Sequence, residues 1–200
     1  MSTPQAHLVD DDEAIRDALS WLLQSRGIPC TTYDSAEAFL SSWNANLAGC
    51  IVLDMRMSGM SGLDCFDKLR ELASSLPVIF LTGHGDVPLA VGTLKKGAFD
   101  FFEKPLNDNE LATRIQEAME LDARQRAANA TVDSLNARIS SLTTREKQIM
   151  ELVLAGKFNK VIADELNISM RTVEVHRANL FDKMQVKTAV ELANLLKPGR

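Results

Sequence analysis

The stretch "HLVDDDEAIRDAL", residues 7–19, decides how the first half of the chain folds. It begins as a short apolar run, passes through Asp10, Asp11, Asp12 and Glu13, and resumes apolar positions at Ile15 and Leu19. A short apolar run followed by four-residue apolar spacing describes a strand leading into a helix. Four adjacent acids repel one another, so the join is either a solvated turn or a place where positive charge is held.

The same unit recurs. "AHLV" (6–9), "PCTTY" (29–33), "CIVLD" (50–54), "VIFLT" (78–82) and "FDFFE" (99–103) read as strands. The middle ones are apolar on both faces, as strands covered by helices must be. Between them lie amphipathic stretches. "EAIRDALSWLLQSRG" carries Ile15, Leu19, Leu22 and Leu23 and stops at Gly27, Ser35 is placed to cap "SAEAFLSSW", and "GLDCFDKLRELAS" and "DVPLAVGTLKKG" follow. Alternating strands and helices predict an α/β doubly wound domain with a parallel five-stranded sheet over residues 1–120.

Residues 107–142 lack Gly and Pro and are rich in helix formers. Residues 121–138 are read as a partly exposed helical linker, the alternative being an unstructured Ala-rich tether. From residue 143 the pattern is all-helical, and four short helices predict a compact all-α module. Thr143 with Glu146 forms a capping box, Gly156 ends one helix and Ser169 caps another.

Charge divides the same way. Residues 1–104 carry 8 basic and 14 acidic side chains, whereas residues 141–200 carry 10 basic and 7 acidic ones. Two modules with different partners are expected. No apolar run approaches the roughly 20 residues of a bilayer span, and the first residues carry no basic or apolar leader pattern. Cys30, Cys50 and Cys65 show no metal-type pairing and read as packed thiols. A cytoplasmic protein without membrane contact is expected.

A doubly wound sheet binds ligands beyond the carboxyl ends of its strands. Those ends supply Asp10 and Asp11, Asp54, Thr82 and Lys104. Three carboxylates brought together need a cation, and a hard, oxygen-seeking ion such as Mg2+ fits. With Lys104 as a second positive charge and the Thr82 hydroxyl as a donor, the set suits phosphoryl transfer to a carboxylate. His7 reads as structural and His84 as an exposed loop residue.

"VDDDE", "VLDMRMSGMSG", "VIFLTGHGD" and "FDFFEKP" resemble the signature of two-component receiver domains of the FixJ-like branch, over about residues 4–120. The resemblance implies a flavodoxin-like fold, with Asp54 accepting a phosphoryl group from a sensor histidine kinase. It implies Mg2+ held by Asp10, Asp11, Asp54 and the backbone carbonyl of Arg56. Lys104 would pair with the phosphate, Thr82 would move to meet it, Phe101 would turn inward, and the Lys104–Pro105 bond would be cis. Two positions depart from the pattern. Asp12 is an extra acid suited to a helix start, and Ser58 stands where the branch commonly has proline, which is expected to loosen that loop. An aspartate-nucleophile phosphatase would carry a second aspartate two positions after the first; Arg56 stands there, so signalling rather than enzymatic turnover is expected.

In the tail, "FNKVIADELNISMRTVEVHRANLFDKM" has helix-turn-helix spacing. Val173, Leu180 and Met184 suit an inward face, and Arg171, Thr172, Glu174, Arg177, Ala178 and Lys183 an outward one. On pattern alone a small bundle with a solvated face is the alternative. "LTTREKQIMELVLAGKFNKVIADELNISMRTVEVHRANLFDKM" resembles a LuxR-type DNA-binding domain, over roughly 139–200. That implies double-stranded DNA contacts from Lys160, Thr172, Glu174, Val175, Arg177 and Ala178, and a homodimer through "TAVELANLL" on a pseudo-palindromic promoter site. The expected whole is a phosphorylation-controlled transcriptional regulator, an activator more readily than a repressor. Phosphorylation would pair two receivers; unmasking of the DNA-binding domain is the other route.

Overall fold

The structure, a computed structural model, describes residues 3–83 and 87–197; His84 lies outside them. The chain divides into two compact units, residues 1–127 and 128–200.

The first unit carries five strands, β1 (Gln5–Val9), β2 (Cys30–Tyr33), β3 (Gly49–Asp54), β4 (Val78–Thr82) and β5 (Asp100–Glu103). Between them run α1 (Glu13–Ser25), α2 (Ala36–Ser42), α3 (Gly62–Glu71) and α4 (Val87–Lys95), and α5 (Asp108–Ser140) follows. The strands pair in parallel in the order β2-β1-β3-β4-β5. Strand order therefore reverses between β1 and β3, where a doubly wound sheet opens a crevice.

Alternation along the strands builds both layers. Leu8, Cys50, Val52, Ile79 and Leu81 face one side, against Leu19, Leu22 and Leu23 of α1 and Leu111, Ala112 and Ile115 of α5. Val9, Ile51, Leu53, Val78 and Phe80 face the other, against Phe39 of α2 and Cys65, Phe66 and Leu69 of α3. His7 is fully buried among Tyr33 and Phe39, and burial holds its pKa below the usual 6.5.

The expected caps form. Asp12 accepts from the Ala14 amide, Ser35 from Ala38, Ser169 from Thr172, and Thr143 and Glu146 make a reciprocal capping box. Each such cap contributes about 1 kcal/mol. Gly27 and Gly156 follow their helices with positive φ, at 69° and 75°.

Helix α5 is one helix of 33 residues, so the linker is helical rather than an unstructured tether. Residues 127–134 are exposed throughout, but the polar stretch before them is not all solvated. Asp122 is 1% exposed, and its Oδ2 accepts from the Gly49 amide at 2.8 Å and from Arg126 Nε at 2.7 Å. Arg126 also donates to the Leu47 carbonyl. Gly49 has φ 116°, and a Cβ there would lie 1.9 Å from the Gln5 carbonyl oxygen, so only glycine fits.

The second unit packs α6 (Thr144–Leu154), α7 (Asn159–Leu166), α8 (Met170–Met184) and α9 (Ala189–Leu195). Its core is Ile149, Val153, Ile162, Val173, Leu180, Met184 and Leu192. Lys183 does not point outward to solvent as its spacing predicts. It forms an ion pair with buried Glu146 at 2.8 Å and donates to the Ser141 carbonyl, because the capping box leaves an anion within its reach.

Candidate functional site

The register that pairs Val9 with Leu53 sets Asp10 beside Asp54 at the carboxyl ends of β1 and β3. One oxygen from each of Asp10, Asp11 and Asp54 lies within 4.8 Å of the others. Asp10 and Asp54 are buried and Asp11 is exposed. Lys104, directly after β5, reaches back with its ammonium 2.9 Å from Asp10 Oδ2 and 3.0 Å from Asp54 Oδ1. Its bond to Pro105 is cis. The acids at the tip of the first strand are thus a charge-holding site and not a solvated turn.

The electrostatics show an unfinished balance. Burial is the largest influence on Asp54, and with the negative charges of Asp10 and Asp11 it outweighs Lys104, pushing the Asp54 carboxyl up to about 6. Asp11 moves the other way: hydrogen bonds from the Ser58 hydroxyl and amide hold it below the usual carboxylate range. Burial works against the Lys104 charge, but Asp10 and Asp54 more than compensate and raise its pKa. Three carboxylates and one ammonium leave excess negative charge. All the donors are oxygens, with a mouth open at Asp11, so the residues fit a hard divalent cation.

The surrounding loop is held by contacts that sequence spacing does not reveal. Asp10 Oδ1 accepts from the Asp12 amide, and Arg16 donates to the Asp10 carbonyl at 2.8 Å. Ser58 donates its amide and hydroxyl to Asp11 Oδ2, at 2.7 and 2.5 Å. The expectation that Ser58 loosens this turn is corrected, since a residue with two donors ties it down. Arg56 is exposed in the same turn. Gly62 opens α3 so close under the strand end that a Cβ would sit 2.1 Å from the Asp54 carbonyl oxygen.

Thr82 ends β4, and Phe101 lies on β5 opposite Phe80. Thr82 is fully buried, and its hydroxyl donates to the Phe102 carbonyl at 3.4 Å. Phe101 is half-buried against the layer that includes Phe80.

In the second unit, the turn between α7 and α8 leaves one face of α8 open. Glu174, Val175 and Ala178 are exposed there, as is Lys160 on α7. Thr172 and Arg177 are half-buried. The Thr172 hydroxyl contacts that of Ser169 at 2.8 Å. Arg177 donates to Asn159 Oδ1 at 2.7 Å and stacks 5.4 Å from the Phe181 ring centre, so its guanidinium is held by both helices of the motif. All six expected DNA-contacting residues belong to this pair of helices.

Comparison with known proteins agrees with this division. Residues 6–116 match the response regulator receiver domain, and residues 140–196 match the luxR family of bacterial regulatory proteins. The transcriptional regulatory protein FixJ of Bradyrhizobium diazoefficiens is 43% identical over 94% of this chain and 92% of its own length. The C4-dicarboxylate transport transcriptional regulatory protein DctR of Rhodobacter capsulatus is 45% identical over 94% of this chain and 97% of its own. Among solved structures, the response regulator StyR matches with a TM-score of 0.94 at 40% identity, covering 98% of this chain and 99% of that one. These relatives are regulators and not enzymes, and no described helix is long and apolar enough to cross a membrane. The chain belongs to the two-component response regulators that join a receiver domain to a LuxR-type DNA-binding domain.

Proposed function

We propose that Asp54 is the phospho-acceptor and that its modification controls DNA binding by the second unit. The observation that carries this reading is the meeting of Asp10, Asp11, Asp54 and Lys104 at the switch point of the sheet. Asp10, Asp11, Asp54 and the Arg56 carbonyl would hold Mg2+. When bound, the ion would neutralise the acids and the incoming phosphoryl oxygens. An Asp54 carboxylate oxygen attacks phosphorus of a kinase phosphohistidine. The new O–P bond forms as the P–N bond breaks, and the histidine nitrogen takes up a proton. Lys104 then exchanges its contact with the Asp54 carboxylate for the phosphoryl group, and Thr82 leaves the Phe102 carbonyl to donate to it. Phe101 turns into the space that opens.

This rearrangement reshapes the face of α4 and β5. Val91 is 42% exposed there, beside Leu89, Leu94 and Lys95, and two such faces would pair two receivers. Pairing brings two weak DNA binders together on a pseudo-palindromic site and raises affinity without any new protein–DNA contact. α9, whose Val190 is 70% exposed, would add the contact between DNA-binding domains. Functionally the chain would comprise a receiver over 1–120, a helical linker over 121–138 and a DNA-binding domain over 139–200, acting in the cytoplasm as an activator.

Lys160 and Thr172 would contact phosphates or base edges, Glu174 suits a cytosine amino group, Val175 and Ala178 suit thymine methyls, and Arg177 suits guanine. A genomic footprint with and without acetyl phosphate tests the whole reading; a protected two-half-site region should form at lower protein concentration with the phosphodonor. Arg177→Ala should weaken specific binding by about 10–100-fold while leaving phosphorylation unchanged. Equal loss of both would place Arg177 in folding instead.

The cation and a proton compete for Asp54, whose carboxyl titrates at about 6 in the metal-free protein. Below that pH the group is neutral and must lose its proton before it can bind metal. Apparent Mg2+ affinity should therefore be level above pH 7 and fall by up to about tenfold per pH unit below 6. Calorimetric titrations from pH 5 to 8 check this; a flat profile would exclude Asp54 as a ligand.

A further inference from the structure

Ser58 sits in this site, and the phosphoryl-transfer scheme does not use its chemistry. It lies in the turn after β3, four positions beyond Asp54, and its two donors converge on one oxygen, Oδ2 of Asp11. A carboxylate offers about four lone-pair directions across two oxygens. Two donors on Oδ2 therefore leave Oδ1 available to another partner. An exposed aspartate at a turn otherwise samples several rotamers, and its ordering counts against any ligand that needs one of them. Ser58 removes that freedom in advance. The same two bonds tether the turn that contains Arg56, two residues before Ser58.

We propose that Ser58 is a positioning residue for the divalent cation: by fastening the turn after β3 to Asp11, it presents Asp11 and the Arg56 carbonyl together and tightens Mg2+ binding before any phosphoryl group arrives. Proline at this position could offer neither donor, having no amide hydrogen and no hydroxyl. The metal affinity of this chain is thus set in part by one side chain outside the ligand set. Outer-shell partners of this kind typically change metal affinity by 10–100-fold when removed. Exposure of both groups to water places Ser58 at the low end of that range.

The inference rests on the proposed cation site, and the experiment separates the two. The full-length, unphosphorylated protein, labelled with 15N, is titrated with MgCl2 in the absence of any phosphodonor, and the amide shifts of residues 10–12 and 54–58 are followed. Ser58→Pro should raise the Mg2+ Kd by about tenfold, Ser58→Ala by about threefold, and Ser58→Thr, which keeps both donors, should restore the native value. Amide shifts elsewhere in the receiver report whether each variant is folded. A native protein whose amides at the site ignore MgCl2 overturns the cation site and this inference with it. A native protein that binds, with variants that bind equally well or more tightly, overturns only the role given to Ser58. Tighter binding would mean that Ser58 competes with the cation for Asp11.

Discussion

Asp54→Asn should abolish incorporation of phosphate from acetyl phosphate or a cognate kinase, and DNA affinity should then no longer respond to a phosphodonor. The amide keeps the size of the carboxylate and the hydrogen bond to Lys104 but has no nucleophilic oxygen anion. The substitution should also make the metal-free receiver more stable. Burial and two neighbouring anions raise the Asp54 carboxyl to about 6, so ionising it works against the fold. A folded-state value above the unfolded one gives a contribution that is fully favourable below the unfolded pKa and lost as pH rises through 6. At pH 8 the neutral amide should therefore gain about 3 kcal/mol over the native residue, and the gain should vanish as the pH falls below about 4. Urea denaturation at the two pH values measures this. Signalling lost while stability rises separates the chemical role of Asp54 from a folding defect; lost signalling with lost stability would contradict it.

Asp122→Ala should destabilise the first unit by about 3 kcal/mol, enough to lower its melting temperature by about 10 °C. The side chain is 1% exposed and holds both the Gly49 amide and Arg126. Removing it leaves a backbone donor without its acceptor and a half-buried guanidinium without its anion. Asp122→Asn keeps the acceptor for Gly49 and should lose about half as much. Circular dichroism melts of the two variants against the native chain provide the check. A loss under 1 kcal/mol for alanine would show that water replaces the carboxylate at little cost.

The strands were legible because each is a compact apolar run, and all five lie within one residue of where the runs predict. Both layers of the core follow from alternation in those runs, as with Ile51 and Leu53 facing one side and Cys50 and Val52 the other. The acids and Lys104 were legible for a topological reason, since each ends or follows a strand and parallel strands bring their ends to one rim. What stayed hidden were polar partners that meet only after folding. Ser58 and Asp11 are 47 residues apart, Gly49 and Asp122 are 73 apart, and Lys183 and Glu146 are 37 apart. No local period encodes such pairs. Asp122 sits in a stretch whose composition is that of a solvated helix, and Lys183 occupies an outward helical position. Ser58 was visible only as a departure from a proline pattern, and that departure pointed to slackness where the turn is in fact tied.

The Thr82 hydroxyl is held by the bond it donates to the Phe102 carbonyl. At 3.4 Å it is a long contact, and a neutral hydrogen bond of that kind contributes no more than about 1 kcal/mol. Under the switch proposed for Thr82, a restraint this weak would favour the resting rotamer by only about fivefold and leave roughly one unmodified molecule in six with the threonine in the other pose. Such a regulator would leak, and its promoters would show a measurable basal output in cells that lack the kinase altogether.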